Sequence, residues 1–278
     1  MSIPGDNTSK ALPVESVQMV GIDLDGTLLR TDNRISAATV AAVKQAHERG
    51  IQVILASARP PRTTIKFYKQ LGLNNLQINH NGALIFDPQN QNIFHHQALE
   101  YDLATQVLHL IKRTAPNLKI GVEVVDTLYT NRPQNYSDSS HISGRGSPGS
   151  LDDIQNQSVT KIFVTGQTTI LSELQATLAD RLAGQIEFAI SHLRLLQVVA
   201  AGVDKAPALA RVAKHYGISQ PRVAAIGDAP NDLGMMDWAG LAIAVNNAWQ
   251  DVRKAANFLV PSNDQDGVAQ ALAKYVLS

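Results

Sequence analysis

The segment Val20-Gly21-Ile22-Asp23-Leu24-Asp25-Gly26-Thr27 decides the reading of this chain. The apolar run from Val17 to Leu24 is short, carries Val and Ile, and stops at Asp25-Gly26. It reads as a buried strand followed by a turn. Side chains two apart on a strand share a face, so Asp23 and Asp25 emerge together at the strand's carboxyl end. Ligands of open α/β sheets bind at that edge. An ordinary Asp-Gly turn would produce the same residues, so the meaning of the segment depends on the rest of the chain.

Downstream, Ser36 caps an Ala-rich helix that closes at Gly50, and an apolar strand follows over 52–56. Pro60 and Pro61 suit the first turn of a helix ending near Gly72. Alternating strand and helix predicts a parallel sheet with helical crossovers. After Asn81-Gly82 the texture changes. Short strands are predicted at 84–87, 92–96, 120–125, 161–164, 186–190 and 193–199, with helices at 101–113 and 171–182 and a polar loop over 131–150. From Asp204 the alternation returns, with a helix to Tyr216, a strand at 223–227, a helix after Asn231, strands at 241–245 and 258–260, and an amphipathic helix from Gly267. The predicted fold class is α/β: a doubly wound, Rossmann-like parallel-sheet core built from residues 16–87 and 196–278, with an α+β cap inserted at 88–195. Residues 1–15 are polar, contain two prolines and lack a basic-then-apolar signal pattern, so they read as a disordered lead.

Composition narrows the chemistry. Lys plus Arg and Asp plus Glu are 24 each, for a net charge of zero, with no basic excess of the kind a nucleic-acid binder carries. The absence of cysteine excludes disulfides and thiolate metal sites, leaving oxygen or imidazole ligands, and the eight histidines show no metal-ligand spacing. No apolar run approaches the roughly 20 residues that span a bilayer. The expectation is a soluble, cytoplasmic protein, monomer or homodimer, with neither nucleic acid nor membrane as partner.

Three further segments supply polar residues at predicted strand or helix ends. Ile226-Gly227-Asp228-Ala229-Pro230-Asn231-Asp232 offers a second pair of carboxylates, although Asp232 at a helix start is also explained by capping. Four acids converging on one spot repel unless a cation neutralises them, and ligation by oxygen alone suits Mg²⁺. Leu55-Ala56-Ser57-Ala58-Arg59 ends a strand with a hydroxyl and a guanidinium able to contact phosphate oxygens, although an exposed Ser and Arg need no explanation. Lys205 opens a helix, where its charge opposes the dipole, although a lone lysine there is usually solvated.

Together these motifs resemble the haloacid dehalogenase superfamily, and within it the Cof-type phosphatases with a large type IIB cap. Asn81-Gly82-Ala83, Gly202-Val203 before the lysine, and Asn263-Asp264-Gln265-Asp266-Gly267-Val268-Ala269 carry the same resemblance. It implies that Asp23 is the nucleophile, that Asp25 is the acid and base, and that Ser57 and Lys205 hold the transferring phosphoryl group. Asp23, the backbone carbonyl of Asp25, and Asp228 would hold Mg²⁺, with Asp232 in support. Thr27, Arg59, Asn81, Gly82 and Asn231 would be further phosphate or substrate contacts. An aspartate is a poor acid at neutral pH, so Asp25 would need a raised pKa, which neighbouring carboxylates could supply. Ala58, Ala206 and Asn246 stand where the family commonly has glycine. The cap offers His141 and Arg145, and behind them Arg132, Tyr136 and Arg194, each of which also fits a solvated loop. Trp238 and Trp249 read as packing residues and His95-His96 as strand surface.

The implied activity is Mg²⁺-dependent hydrolysis of small phosphate esters through an aspartyl-phosphate, with sugar phosphates as the leading class. A phosphomutase of similar fold is the enzymatic alternative. A phosphate-responsive binding or regulatory protein is the other.

Overall fold

The computed structural model describes residues 16–132, 149–154 and 156–278. Strand β1 (Met19–Ile22) lies inside a five-stranded, all-parallel sheet. Its neighbours are β2 (Gln52–Leu55) on one side and β12 (Val223–Gly227), β13 (Leu241–Val245) and β14 (Phe258–Val260) on the other, in the order β14-β13-β12-β1-β2. Every residue of β1, β12 and β13 is buried. Such unbroken apolar strands are what a parallel sheet covered on both faces requires.

The covering helices begin and end where the local chemistry allows. Helix α1 (Ala37–Glu48) starts at Ser36, whose side chain accepts from Thr39 N at 3.1 Å. Helix α2 (Pro61–Leu71) has proline in its first turn and stops at Gly72, with φ 70°. Helix α5 (Lys205–His215) is capped by Asp204, which accepts from Ala206 N at 2.7 Å. It crosses β1 so closely that a Cβ on Gly21 would lie 2.9 Å from the Leu209 Cδ2. Helices α6 (Leu233–Trp238), α7 (Gln250–Ala255) and α8 (Gly267–Tyr275) complete this part.

A second sheet of six strands has its own apolar core. It runs in the order β10 (Ile186–His192), β11 (Leu195–Ala200), β9 (Lys161–Thr165), β6 (Lys119–Val124), β7 (Thr127–Thr130) and β8 (Gly149–Ser150). All its pairings are antiparallel except β7 with β8. Helices α3 (Tyr101–Thr114) and α4 (Thr168–Arg181) contribute Val107, Ile111, Leu174 and Leu178 to that core. A third sheet, β3 (Gln77–Asn79), β4 (Leu84–Asp87) and β5 (Asn92–His96), joins the end of β2 through an Ala56–Ile78 bridge. No helix among the described residues is long and apolar enough to cross a membrane.

Several details differ from the expectation. Strand β3 escaped the apolar pattern because Gln77 and Asn79 are polar yet buried; Gln77 accepts from the Thr64 hydroxyl at 3.2 Å, and Asn79 donates to Arg59 O at 3.0 Å. The residues around 196 lie within β11, which pairs with β9 and β10 in the six-stranded sheet. Trp249 is 38% exposed and is not a core residue, whereas Trp238 packs half-buried against the core. His96 is also more than strand surface, since its ring Nε2 lies 2.9 Å from the Thr160 hydroxyl.

The close approach of α5 to β1 makes Leu209 the wedge between them. Replacing it with Ala leaves a cavity beside Gly21 and is expected to cost about 3 kcal/mol. Urea unfolding of the variant against the parent measures this, and an unchanged midpoint would contradict it.

Candidate active site

The site forms at the carboxyl edge of the parallel sheet, the edge the topology predicts for ligands. Asp23 follows β1 directly, its N–H bonding to Ile226 O of β12 at 3.0 Å. The chain then turns tightly: Leu28 N reaches Asp23 O at 3.2 Å and Leu29 N reaches Leu24 O at 2.8 Å. Gly26 makes the turn possible. Its φ is 83°, and a Cβ there would lie 2.4 Å from the Asp228 Oδ2. Thr27 donates its hydroxyl to Asp228 Oδ1 at 2.7 Å, joining residues 201 apart in sequence.

Lys205 is fully buried. Its ammonium donates to Asp23 Oδ1 at 2.5 Å and to Asp232 Oδ1 at 2.6 Å. Burial works against that charge, but the two carboxylates more than offset it and raise the pKa, so Lys205 stays protonated. The other oxygen of Asp232 accepts from Asp228 N at 2.9 Å and Ala229 N at 3.0 Å. Asp232 is thus both the turn cap and the ion-pair partner, which reconciles the two readings of it.

Asp23, Asp228 and Asp232 each present an oxygen within 4.8 Å of the others, and all three are buried. Three carboxylates against the one ammonium of Lys205 leave a formal excess of two negative charges. Burial, chiefly, pushes the Asp23 pKa well above the ordinary range; Lys205 opposes the shift, while Asp232, Asp228 and Asp25 add to it. Burial also raises Asp228 to about 7, together with repulsion from Asp232 and Asp25 and against the Thr27 hydrogen bond and Lys205. A buried all-oxygen cluster short of two positive charges fits a hard divalent cation.

Asp25 points elsewhere. Arg59 grips its carboxylate at both oxygens, with Nε to Oδ2 at 2.7 Å and Nη2 to Oδ1. The immediate neighbour of Asp25 is therefore a cation as well as the carboxylates expected from the sequence. Ser57 is buried just past β2 and its hydroxyl accepts from Arg59 N at 3.1 Å. Asn81 and Gly82 lie in a turn of left-handed residues, His80, Asn81 and Gly82 at φ 51°, 58° and 100°. Only glycine fits at 82, where a Cβ would meet Asp204 O at 2.2 Å. Asn231 donates to Asn81 Oδ1 at 2.9 Å.

The fold thus brings Asp23, Asp25, Thr27, Ser57, Arg59, Asn81, Gly82, Lys205, Asp228, Asn231 and Asp232 to one edge. His141, Arg145 and Tyr136 lie outside the described residues. Arg132 donates to Asn117 O at 2.7 Å on the surface. Ala58, Ala206 and Asn246 all have negative φ, so none needs to be glycine. Sequence reasoning missed Asn247, which donates to Gly26 O at 2.7 Å and accepts from Asn263 N at 3.0 Å. It also missed a polar seam with the six-stranded sheet: Arg62 binds Glu123 at 2.7 and 2.8 Å, and His80 Nε2 donates to Val125 O at 2.8 Å. Isolated polar residues in unrelated segments carry no periodic signal.

Comparison with known proteins agrees with this geometry. A family model described as haloacid dehalogenase-like hydrolase matches residues 20–272. The 5-amino-6-(5-phospho-D-ribitylamino)uracil phosphatase YitU of Bacillus subtilis (strain 168) is 27% identical over 262 residues, covering 92% of this chain and 97% of that protein. Its namesake YcsE, from the same organism, is 29% identical, covering 94% and 96%. A crystal structure of a haloacid dehalogenase-like hydrolase from Bacteroides thetaiotaomicron superposes with a TM-score of 0.81 at 26% identity, covering 93% of this chain and 99% of that one. The chain belongs to the haloacid dehalogenase-like hydrolases, and within them to the Cof-type phosphatases.

Proposed function

We propose that this phosphatase hydrolyses small phosphomonoesters, sugar phosphates foremost, through an aspartyl-phosphate on Asp23 with Mg²⁺ as cofactor. The observation that carries the reading is the buried trio Asp23, Asp228 and Asp232, whose charge Lys205 only partly balances. Asp23, Asp228 and the backbone carbonyl of Asp25 would hold the cation, with Asp232 behind them. Bound there, Mg²⁺ would supply positive charge to offset the negative charge of the phosphoryl group.

The chain's own residues divide the work. Asp23 attacks phosphorus while Asp25 gives its proton to the departing alkoxide. Asp25 then takes a proton from the water that attacks the aspartyl-phosphate, which releases phosphate and frees Asp23. Ser57 and Lys205 hold the phosphoryl oxygens, and Arg59 aims the Asp25 carboxylate. Asn81 and Asn231 leave the amide Nδ2 of one and Oδ1 of the other buried without partners. Whichever way the amides are turned, one donor and one acceptor beside the acidic centre stay uncommitted. That chemistry suits a polyol or sugar phosphate, and YitU and YcsE are named for an ester on a ribityl chain. We assign selection among such esters to the unit that carries the six-stranded sheet, roughly residues 88–200, and the chemistry to residues 16–87 and 201–278.

Phosphate release from a panel of phosphomonoesters with Mg²⁺ and with EDTA tests the reading. Metal-dependent release is expected, and silence across the panel from folded protein would count against it. Asp23→Asn keeps the shape of the site but removes the attacking oxyanion. Turnover should fall by at least about 10³-fold, with the circular dichroism spectrum unchanged.

The acidic trio also gives a stability signature. Burial, chiefly, pushes the Asp228 pKa in the folded protein from its ordinary 3.8 up to about 7. Between those values the folded state holds a proton that the unfolded chain has released. The metal-free protein should therefore lose stability as pH rises from about 4 to about 7. A cation replaces that proton, so the rise in melting temperature on adding Mg²⁺ should be larger at pH 8 than at pH 5.5. Equal shifts at both pH values would argue against Asp228 as a ligand.

A further inference from the structure

Outside the acidic centre, a second buried ammonium has no place in the scheme above. Lys161 opens β9 and is 6% exposed. Its Nζ reaches out of the six-stranded sheet and donates to Ala58 O at 2.8 Å and to Gln197 Oε1 at 3.1 Å. Both partners are neutral. The carboxylate directly across the ladder belongs to Glu123, and Arg62 engages both of its oxygens. Burial lowers the Lys161 pKa to about 8; Glu123 opposes the shift and Arg62 adds to it. Burying a cation on neutral acceptors is costly, and an apolar residue of similar length would serve the sheet better. Attachment of the sheet does not explain the lysine. Arg62 already fastens that hairpin, through Glu123, through its N–H to Asp126 Oδ1 at 2.8 Å, and through Nη1 to Asp126 O at 3.0 Å.

The atom that Lys161 touches is the informative one. Ala58 is the middle residue of the loop whose ends are Ser57 and Arg59. Ser57 O accepts from Asn81 N at 3.0 Å, and Arg59 O accepts from His80 N at 3.2 Å and from Asn79 Nδ2 at 3.0 Å. Arg59 in turn holds both oxygens of Asp25. His80, on the neighbouring turn, is itself anchored to Val125 O of the β6–β7 hairpin at 2.8 Å. Two contacts from the six-stranded sheet thus reach one short loop, Lys161 directly and Val125 through His80, and Arg59 of that loop holds the Asp25 carboxylate.

We propose that Lys161 is a positioning residue: by holding the Ala58 carbonyl it makes the placement of Ser57, and of Arg59 on Asp25, depend on the six-stranded sheet being seated over the core. The proposal rests on the acid-base role assigned to Asp25. It separates two functions of the seam. Arg62 keeps the units together, and Lys161 reports their contact to the reacting groups. Its effect should fall on the rate of the chemical steps and not on substrate affinity.

The test uses the full chain with Lys161→Met, which keeps the length and removes the donor, and Lys161→Arg, which restores a cationic donor. Steady-state kinetics with p-nitrophenyl phosphate and a hexose phosphate at saturating Mg²⁺ should show kcat about tenfold lower in Lys161→Met, the loss expected for one hydrogen bond from a charged donor. KM should stay within about twofold, and Lys161→Arg should recover most of the loss. Hydrogen exchange should be faster in Lys161→Met at the amides of 57–59 and 80–81 and unchanged in β1 and β12. Unchanged kcat, a loss confined to KM, or unchanged exchange would each overturn the proposal. Lys161→Gln, read by the same criteria, replaces Lys161→Met if that variant does not fold. If the parent protein turns over no ester, the role of Asp25 falls, and the exchange comparison alone decides the coupling.

Discussion

The ammonium of Lys205, held between Asp23 and Asp232 with no solvent exposure, is the constraint on which the site depends. It joins the end of β1 to the turn after β12, and because Lys205 is the first residue of α5 it also fixes where that helix begins. Such an ion pair is poor evidence for stability as such, because desolvating the charges consumes most of what their attraction returns. Its value here is geometric. One buried cation between two acids sets both carboxylates in place before any ligand arrives, and pre-organisation of this kind is what electrostatic catalysis uses. The family expectation had placed Lys205 on the phosphoryl group, and the structure adds that it is equally a strut.

Around this strut the polar groups sort by which element can hold them still. Asp23 and Asp228 sit directly past buried strands, where backbone hydrogen bonds leave little freedom. Asp232 is tied to two backbone amides of its own turn. The loop after Thr27 is secured by the tail of the chain: Asp264 accepts from the Thr31 N–H at 2.9 Å and its hydroxyl at 2.6 Å, and Asn263 donates to Leu29 O at 2.8 Å. The 263–269 segment, noticed in the sequence only as a family signature, thus has a mechanical purpose. It clamps the far side of the turn that carries Asp25.

The parallel-sheet half was legible because its strands are unbroken apolar runs ending in polar turns, as in Val20 to Asp25 and Val223 to Asp228. Periodicity and turn chemistry act on neighbours in sequence, so they show there directly. The acidic centre was legible for a different reason: each half of it lies at the end of such a run. What stayed hidden is polar burial across long separations. Gln77 and Asn79 look like loop residues until their partners are seen, and β3 went unread. Lys161 and Glu123 sit in strands that the sequence did suggest, but nothing local says that Lys161 reaches Ala58 or that Glu123 meets Arg62. The identity of such partners is a property of tertiary packing.

The separation of the contacting residues also bears on how the molecule is made. Asp23 waits 182 residues for Lys205, and Thr27 waits 201 for Asp228. During synthesis β1 has only β2 for a ladder partner in its sheet until β12 emerges, well after the six-stranded sheet is complete. The intervening unit has a hydrophobic core of its own and can collapse first. While it does so, Asp23 remains without Lys205 and Thr27 without Asp228. Closing so long a loop costs little more than closing one half its length, because the entropy grows only logarithmically. The delay is kinetic. Such non-local pairing slows folding, and the nascent β1 is an unsatisfied edge of just the kind that chaperones shield.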